Sequence, residues 1–195
     1  MVMAMKKRNW KTMTTYPGNQ WRPTQVRVSS LARAEELSKD WADRVVSLVA
    51  PDTELPKFST FHLSIPMHDT EVITDMWSPK LSDIQKVLGF CPPHSNVVCH
   101  CYAGVSRSSA TAIGIMVKNG VSINDAVKLA HIDSPNMAPN KLILKHIDVL
   151  LGMRGEFVFN VQKSVSLLPK DLILWCDICQ VHFVDGNNCP AKHWS

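Results

Sequence analysis

Val97-Val98-Cys99-His100-Cys101-Tyr102-Ala103-Gly104-Val105-Ser106-Arg107-Ser108-Ser109-Ala110-Thr111-Ala112-Ile113-Gly114-Ile115-Met116-Val117 joins two apolar runs through a short loop of small residues. The first run reads as a buried strand, the second as a buried helix, and the loop between them as a tight turn. A loop that enters a helix presents unpaired backbone N–H groups at the positive end of the helix dipole. Gly104 lets that backbone curl around a bound anion. The stretch therefore predicts a strand-loop-helix unit with a cradle for a tetrahedral dianion.

Cys101 and Arg107 bracket five residues of this loop. Loop N–H groups and a nearby guanidinium favour thiolate over thiol, which lowers a cysteine pKa from its free value of roughly 8.5. Arg107 can offer two parallel N–H bonds to two phosphoryl oxygens, a geometry that lysine does not reproduce. Ser108 is placed to donate its hydroxyl to the sulfur, and His100 to hold the loop through its ring nitrogens. These residue types together point to cleavage of a phosphate monoester. Cys99 lies inside the strand and reads as core packing, with a redox pairing to Cys101 as the lesser alternative.

Phosphoryl transfer also calls for an acid, because a departing oxygen leaves more easily when it is protonated in the transition state. Phe61, Leu63 and Ile65 alternate as in a strand that delivers Asp69 into a loop, thirty-two positions before Cys101. Asp69 is the leading candidate and Asp75 the rival.

Elsewhere the pattern alternates between strands and helices. Val26 to Val28 reads as a strand, Leu31 to Asp40 as a helix, Arg44 to Val49 as a strand, and Leu81, Ile84, Val87 and Leu88 recur at helical spacing. Gly120 is expected to end the helix after Arg107 as a left-handed cap, Ser122 and Asp125 to open another helix, and Pro139 to Leu151 to form the last. The expected fold is α/β: a mainly parallel central sheet of about four strands flanked by helices, with its ligand beyond the carboxyl ends of the strands. Expected boundaries are an N-terminal extension over 1–22, a catalytic domain over 23–160 and a small C-terminal appendage over 161–195.

His100-Cys101, five residues, then Arg107-Ser108 resembles the signature of the cysteine-dependent protein tyrosine and dual-specificity phosphatases. The wording from Cys101 to Ser108 is most similar to small dual-specificity enzymes and to the compact, bacterial-type predicted tyrosine phosphatases. The resemblance runs loosely from about Val26 to about Phe159, through Ser30-Leu31-Ala32-Arg33 and Pro139-Asn140. It implies a phosphatase-like fold, a cysteinyl-phosphate intermediate, no catalytic cofactor and a phosphorylated protein as substrate. It also implies substrate binding by Tyr102, Ala103, Gly104, Val105, Ser106 and Arg107. Asp69-Thr70 falls where small dual-specificity phosphatases carry their general acid. Lys145-His146 departs from the family, which often has a glutamine there; His146 reads as structural. No lysine lies between Cys101 and Arg107, which disfavours highly charged inositol lipids as substrates.

Composition agrees with one small cytoplasmic enzyme: 195 residues with 45% hydrophobic content can bury one core. The formal charge of +4 suits an anionic substrate and is too small to signal a nucleic-acid binder by itself. No apolar run approaches the length of roughly eighteen residues that would suggest a membrane span. Six cysteines in such a chain read as catalytic, packing or metal-binding thiols rather than a disulfide framework.

Composition changes near the C-terminus. Cys176 and Cys179 stand at the spacing of two thiolates on one turn, and Cys189 with His193 can complete a tetrahedral zinc shell, His182 being a substitute ligand. The expectation is a structural zinc knuckle within 173–195, weighed against reduced, non-ligating cysteines and a redox pair, and a tail able to recruit a partner or nucleic acid. A different class of function is a non-catalytic phosphopeptide-binding module with a zinc-binding tail. A thiol-based sulfur carrier or arsenate reductase is a third. Intact Cys101, Arg107 and Asp69 favour the phosphatase.

Overall fold

The computed structural model describes residues 24–168 and the backbone of 173–176 and 181–184. A four-stranded sheet forms from β1 (Gln25–Ser30), β2 (Arg44–Ser47), β3 (Phe61–Ser64) and β4 (Asn96–Cys101), in the spatial order β1-β4-β2-β3. All three pairings are parallel. A parallel sheet is normally covered on both faces. The strand at its centre, β4, accordingly buries every residue from Val97 to Cys101. The expected mainly parallel α/β sheet is the one observed.

Alternation of side chains sorts the sheet into two faces. Val26, Val28, Val46, Val97, Cys99 and Cys101 join the large core, which is completed by residues of α2 (Leu81–Phe90), α3 (Arg107–Lys118), α4 (Ile123–Asp133), α5 (Lys141–Leu151) and α6 (Glu156–Ser166). Val45 and Val98 face the other way and meet Ala34 of α1 (Leu31–Ser38), with Leu37, Trp41 and Phe58 packed around them. Burial of Val, Leu and Ile side chains of this kind stabilises by about 1.5–3 kcal/mol each. The large core thus lies under the loop that follows β4.

Local signals set several element ends. Ser122 Oγ accepts from the Asp125 N–H at 3.2 Å and donates to its carboxylate at 2.7 Å, opening α4 as expected. Gly120 takes φ +93 just past the end of α3. Helix α1 stops at Ser38 rather than Asp40, and β2 stops at Ser47 rather than Val49. Helix α6 has no counterpart among the expected elements and runs through residue 160, the expected domain end. Its start is fixed from a distance: the buried Asp148 carboxylate of α5 accepts from the N–H groups of Gly155 at 2.6 Å and Phe157 at 2.8 Å. No residue beside the helix announces it. Strands β5 (Ile173–Cys176) and β6 (Val181–Val184) pair antiparallel.

Candidate active site

Cys101 closes β4, and its side chain is buried against the large core. Two groups lie against its sulfur: the Gly104 N–H donates at 3.3 Å, and the Ser108 hydroxyl sits 3.2 Å away. The loop between them bends so that its carbonyls are tied on the outer side. Tyr102 O accepts from Leu31 N, Val105 O from Ala138 N, and Ser106 O from Asn140 N, all at 3.1–3.2 Å. Fixing the carbonyls outward leaves the loop amides to face inward. Ser106, at the start of α3, makes no side-chain cap to that helix, so its first N–H groups are not spent on capping.

Gly104 is required here for two reasons. Its φ of +78 is costly for residues with a Cβ. A Cβ would also lie 2.7 Å from Ser30 N and 2.8 Å from Ser29 C. The loop thus closes onto the junction where β1 passes directly into α1, within the Ser30-Arg33 stretch. A cleft of about 510 Å³ runs along this side of the loop, between Ser29–Arg33 and Asp133–Asn136. Cys101, Arg107 and Asp69 do not line it.

Arg107 opens α3 almost wholly buried, and its Nη1 donates to Met67 O at 2.7 Å. Its Nε lies 3.5 Å from Asp69 Oδ2. Asp69 Oδ1 accepts from Ser106 Oγ at 2.7 Å and from Asn140 Nδ2 at 3.0 Å. Arg107 and Asp69, on separate segments of the chain, thus meet directly, and Ser106 ties Asp69 to the loop that follows Cys101. Asn140 was noticed in the sequence only as part of a Pro-Asn pair. Here its Nδ2 also donates to Thr70 O at 3.0 Å, and its Oδ1 caps α5 through Ile143 N.

Asp75 is occupied otherwise. It accepts from the Trp77 N–H at 2.7 Å and faces His68 Nδ1 at 3.2 Å. The Trp77 N–H, more than His68, holds its carboxyl below the usual range. It organises the turn after Asp69 and has no contact with the loop of Cys101 among the described hydrogen bonds. His146 Nε2 meets Pro79 O at 2.9 Å, a structural bond between α5 and the segment before α2. Tyr102 stands 70% exposed at the mouth, contributing its backbone to the loop and leaving its ring in solvent.

His100 Nε2 meets Ser47 Oγ on β2; burial pulls its pKa down to about 4, with the Cys101 backbone acting in the opposite sense. Cys99 packs in the large core, where burial pushes its thiol up. Cys91 is another buried thiol, pushed up by burial to about 12. The expected zinc ligands Cys176, Cys179, Cys189 and His193 lie outside the residues whose side chains are described, as does His182. Among the described residues no group of three or more His, Cys, Asp or Glu is placed to hold a metal ion, and no helix is long and apolar enough to cross a membrane.

No family model and no curated protein sequence matches this chain. Solved structures do. The human tyrosine phosphatase-like serine/threonine/tyrosine-interacting protein is similar with a TM-score of 0.52 at 16% identity, over 66% of this chain and 92% of that one. A substituted form of human DUSP28 is similar with a TM-score of 0.50 at 18% identity, over 73% of this chain and 99% of that one. At such identities the likeness is one of fold.

Proposed function

With a fold that matches the dual-specificity and tyrosine-phosphatase-like superfamily, we propose that the chain is a thiol-dependent phosphomonoester hydrolase, a protein tyrosine or dual-specificity phosphatase. One observation carries this reading: the Cys101 sulfur lies under a loop amide and the Ser108 hydroxyl, with Arg107 and Asp69 brought to the same loop. Within the superfamily, the wording of residues 101–108 favours the compact, bacterial-type enzymes.

In the proposed reaction the Cys101 thiolate attacks phosphorus. The S–P bond forms as the P–O bond to the leaving group breaks, and Asp69 gives that oxygen a proton. Loop amides and the Arg107 guanidinium stabilise the equatorial oxygens. Arg107 keeps one nitrogen on Met67 O and turns its remaining N–H edge to the phosphate, which releases Nε from Asp69. Water then attacks the cysteinyl phosphate, Asp69 takes its proton, and the sulfur departs toward the Ser108 hydroxyl. Bound phosphate would take the place of the contact between Arg107 and Asp69.

The catalytic unit is proposed to span 23–160 and to continue to the end of α6, with a phosphorylated protein as substrate and the cytoplasm as its setting. The zinc knuckle of 173–195, and recruitment of a partner or nucleic acid by it, form a separate proposal that metal analysis of wild type and Cys176→Ser decides. For the enzyme, p-nitrophenyl phosphate is the first substrate. Vanadate-sensitive release, abolished by Cys101→Ser, supports hydrolysis; binding of phosphopeptide without turnover would favour the recognition module. With a phosphopeptide, whose leaving oxygen needs a proton, Asp69→Asn should flatten the basic limb of the pH profile, whereas Asp75→Asn should leave it in place.

A further inference from the structure

Behind the loop, on the opposite face of the sheet, three polar side chains form a chain from the sheet edge to the strand that carries Cys101. Consecutive strand residues point to opposite faces, so the His100 ring projects away from the Cys101 sulfur. Ser47 is the register partner of His100 and shares its face; His62, on the edge strand β3, pairs with Val45 two positions earlier. Ser47 Oγ lies 2.8 Å from His62 Nε2 and 2.5 Å from His100 Nε2. Ser47 and His100 are fully buried, while His62 is exposed at the edge. Phe58 covers both rings, with centroids at 4.6 Å from His62 and 5.7 Å from His100.

A serine hydroxyl has one hydrogen to give. When both rings are neutral, one Nε2 must donate to Ser47 and the other must accept from it. Burial keeps His100 neutral near pH 7 and lowers the pKa of His62 as well. The chain therefore has two directions, and each places the remaining His100 proton on a different nitrogen. His100 Nδ1 is buried without a hydrogen-bond partner, Nε2 being taken by Ser47, and the adjacent Cys101 backbone favours the protonated ring against the effect of burial. An unpaired buried nitrogen is costly, so the direction of the chain matters to the peptide that starts the loop.

We propose that Ser47 and His62 are positioning residues: His62 donates to Ser47, Ser47 donates to His100, and the His100 proton is thereby fixed on Nδ1, where it steadies the Cys101 peptide. This rests on the proposed roles of Cys101 as nucleophile and of its loop as the phosphate cradle. His100 then acts on the loop through the backbone and from behind. A serine in the middle lets the exposed residue at position 62 set the tautomer of a ring that solvent does not reach.

Because His62 is exposed, it can be changed without opening the core. His62→Lys can only donate to Ser47 and keeps the direction; the ionised side chain of His62→Glu can only accept and reverses it. Nitrogen-15 NMR of the ring reads the tautomer, and iodoacetamide alkylation of Cys101 reads the loop without requiring turnover. Alkylation is compared in about 1 M salt, where the Debye length falls to roughly 3 Å and exposed charges are screened. Wild type and His62→Lys should carry the His100 proton on Nδ1. His62→Glu should move it to Nε2 and slow alkylation several-fold, and adding Ser47→Ala should abolish the difference between the two variants. The same tautomer in all three proteins overturns the relay, and a tautomer change with equal alkylation overturns its positioning role. Wild type that shows both signatures but hydrolyses no phosphomonoester supports the relay and overturns the phosphatase reading alone.

Discussion

Asn140 reaches across the site to Asp69: its Nδ2 donates to Asp69 Oδ1 at 3.0 Å while its Oδ1 accepts from the Ile143 N–H that opens α5. One buried side chain thus ties the candidate acid to the end of a helix, and the two ties are separable.

Replacing Asn140 by serine keeps a capping oxygen but is too short to hold Asp69; alanine loses both. Asn140→Ala should therefore be less stable than Asn140→Ser by about 1 kcal/mol, the worth of an N-cap. Both should lose turnover to a similar degree. Denaturant unfolding together with p-nitrophenyl phosphate kinetics checks this, and equal stability of the two variants counts against the cap.

Gly104→Ala should be the most damaging single methyl in the site. The added Cβ meets backbone atoms of Ser29 and Ser30, and the left-handed backbone costs on the order of 1–3 kcal/mol more. Thermal unfolding should fall and activity should be lost, since the loop cannot close with its amides inward.

Arg107→Lys should lower kcat/KM by about a hundredfold or more, because an ammonium cannot hold two equatorial oxygens in parallel. A lysine that restores most of the activity would mean that charge alone, without the planar fork, serves the site.

His100 makes stability depend on pH. Its pKa is about 4 in the fold against 6.5 ordinarily, so between these values the unfolded chain binds a proton that the folded chain does not. Stability should be unaffected above roughly pH 6.5 and lost as pH falls toward 4, by up to about 3 kcal/mol from this group. Denaturant unfolding at pH 7 and pH 4.5 should show a smaller loss for His100→Asn than for wild type.

The sequence carried the parts of this account that depend on local pattern. Strand β4 was legible because a run buried on both faces is continuously apolar, and Gly104 and Arg107 because the loop needs a left-handed residue and a bidentate cation. Ser122 announced α4 with its own side chain. What was hidden depends on contacts between distant residues. Helix α6 is capped by Asp148 from the preceding helix, and β3 alternates in sequence although Phe61 stands 69% exposed on an edge strand. The grip of Asn140 and Ser106 on Asp69, and the Ser47 link between His62 and His100, join separate segments that no local spacing connects. His100 shows the limit most plainly: alternation turns its ring away from the Cys101 sulfur, and its partner Ser47 lies on another strand.

Phosphorylation of Cys101 during turnover is the step on which the proposed phosphatase stands or falls, and mass spectrometry detects it. A nitrophenolate leaving group departs without an acid, whereas hydrolysis of the intermediate uses Asp69 as base, so Asp69→Asn should accumulate the intermediate. Rapid acid quench of that variant turning over p-nitrophenyl phosphate, followed by peptide mass spectrometry, should find one phosphoryl group on Cys101 and none in Cys101→Ser. An unmodified Cys101 during sustained release of nitrophenol, or undiminished release by Cys101→Ser, would contradict the account.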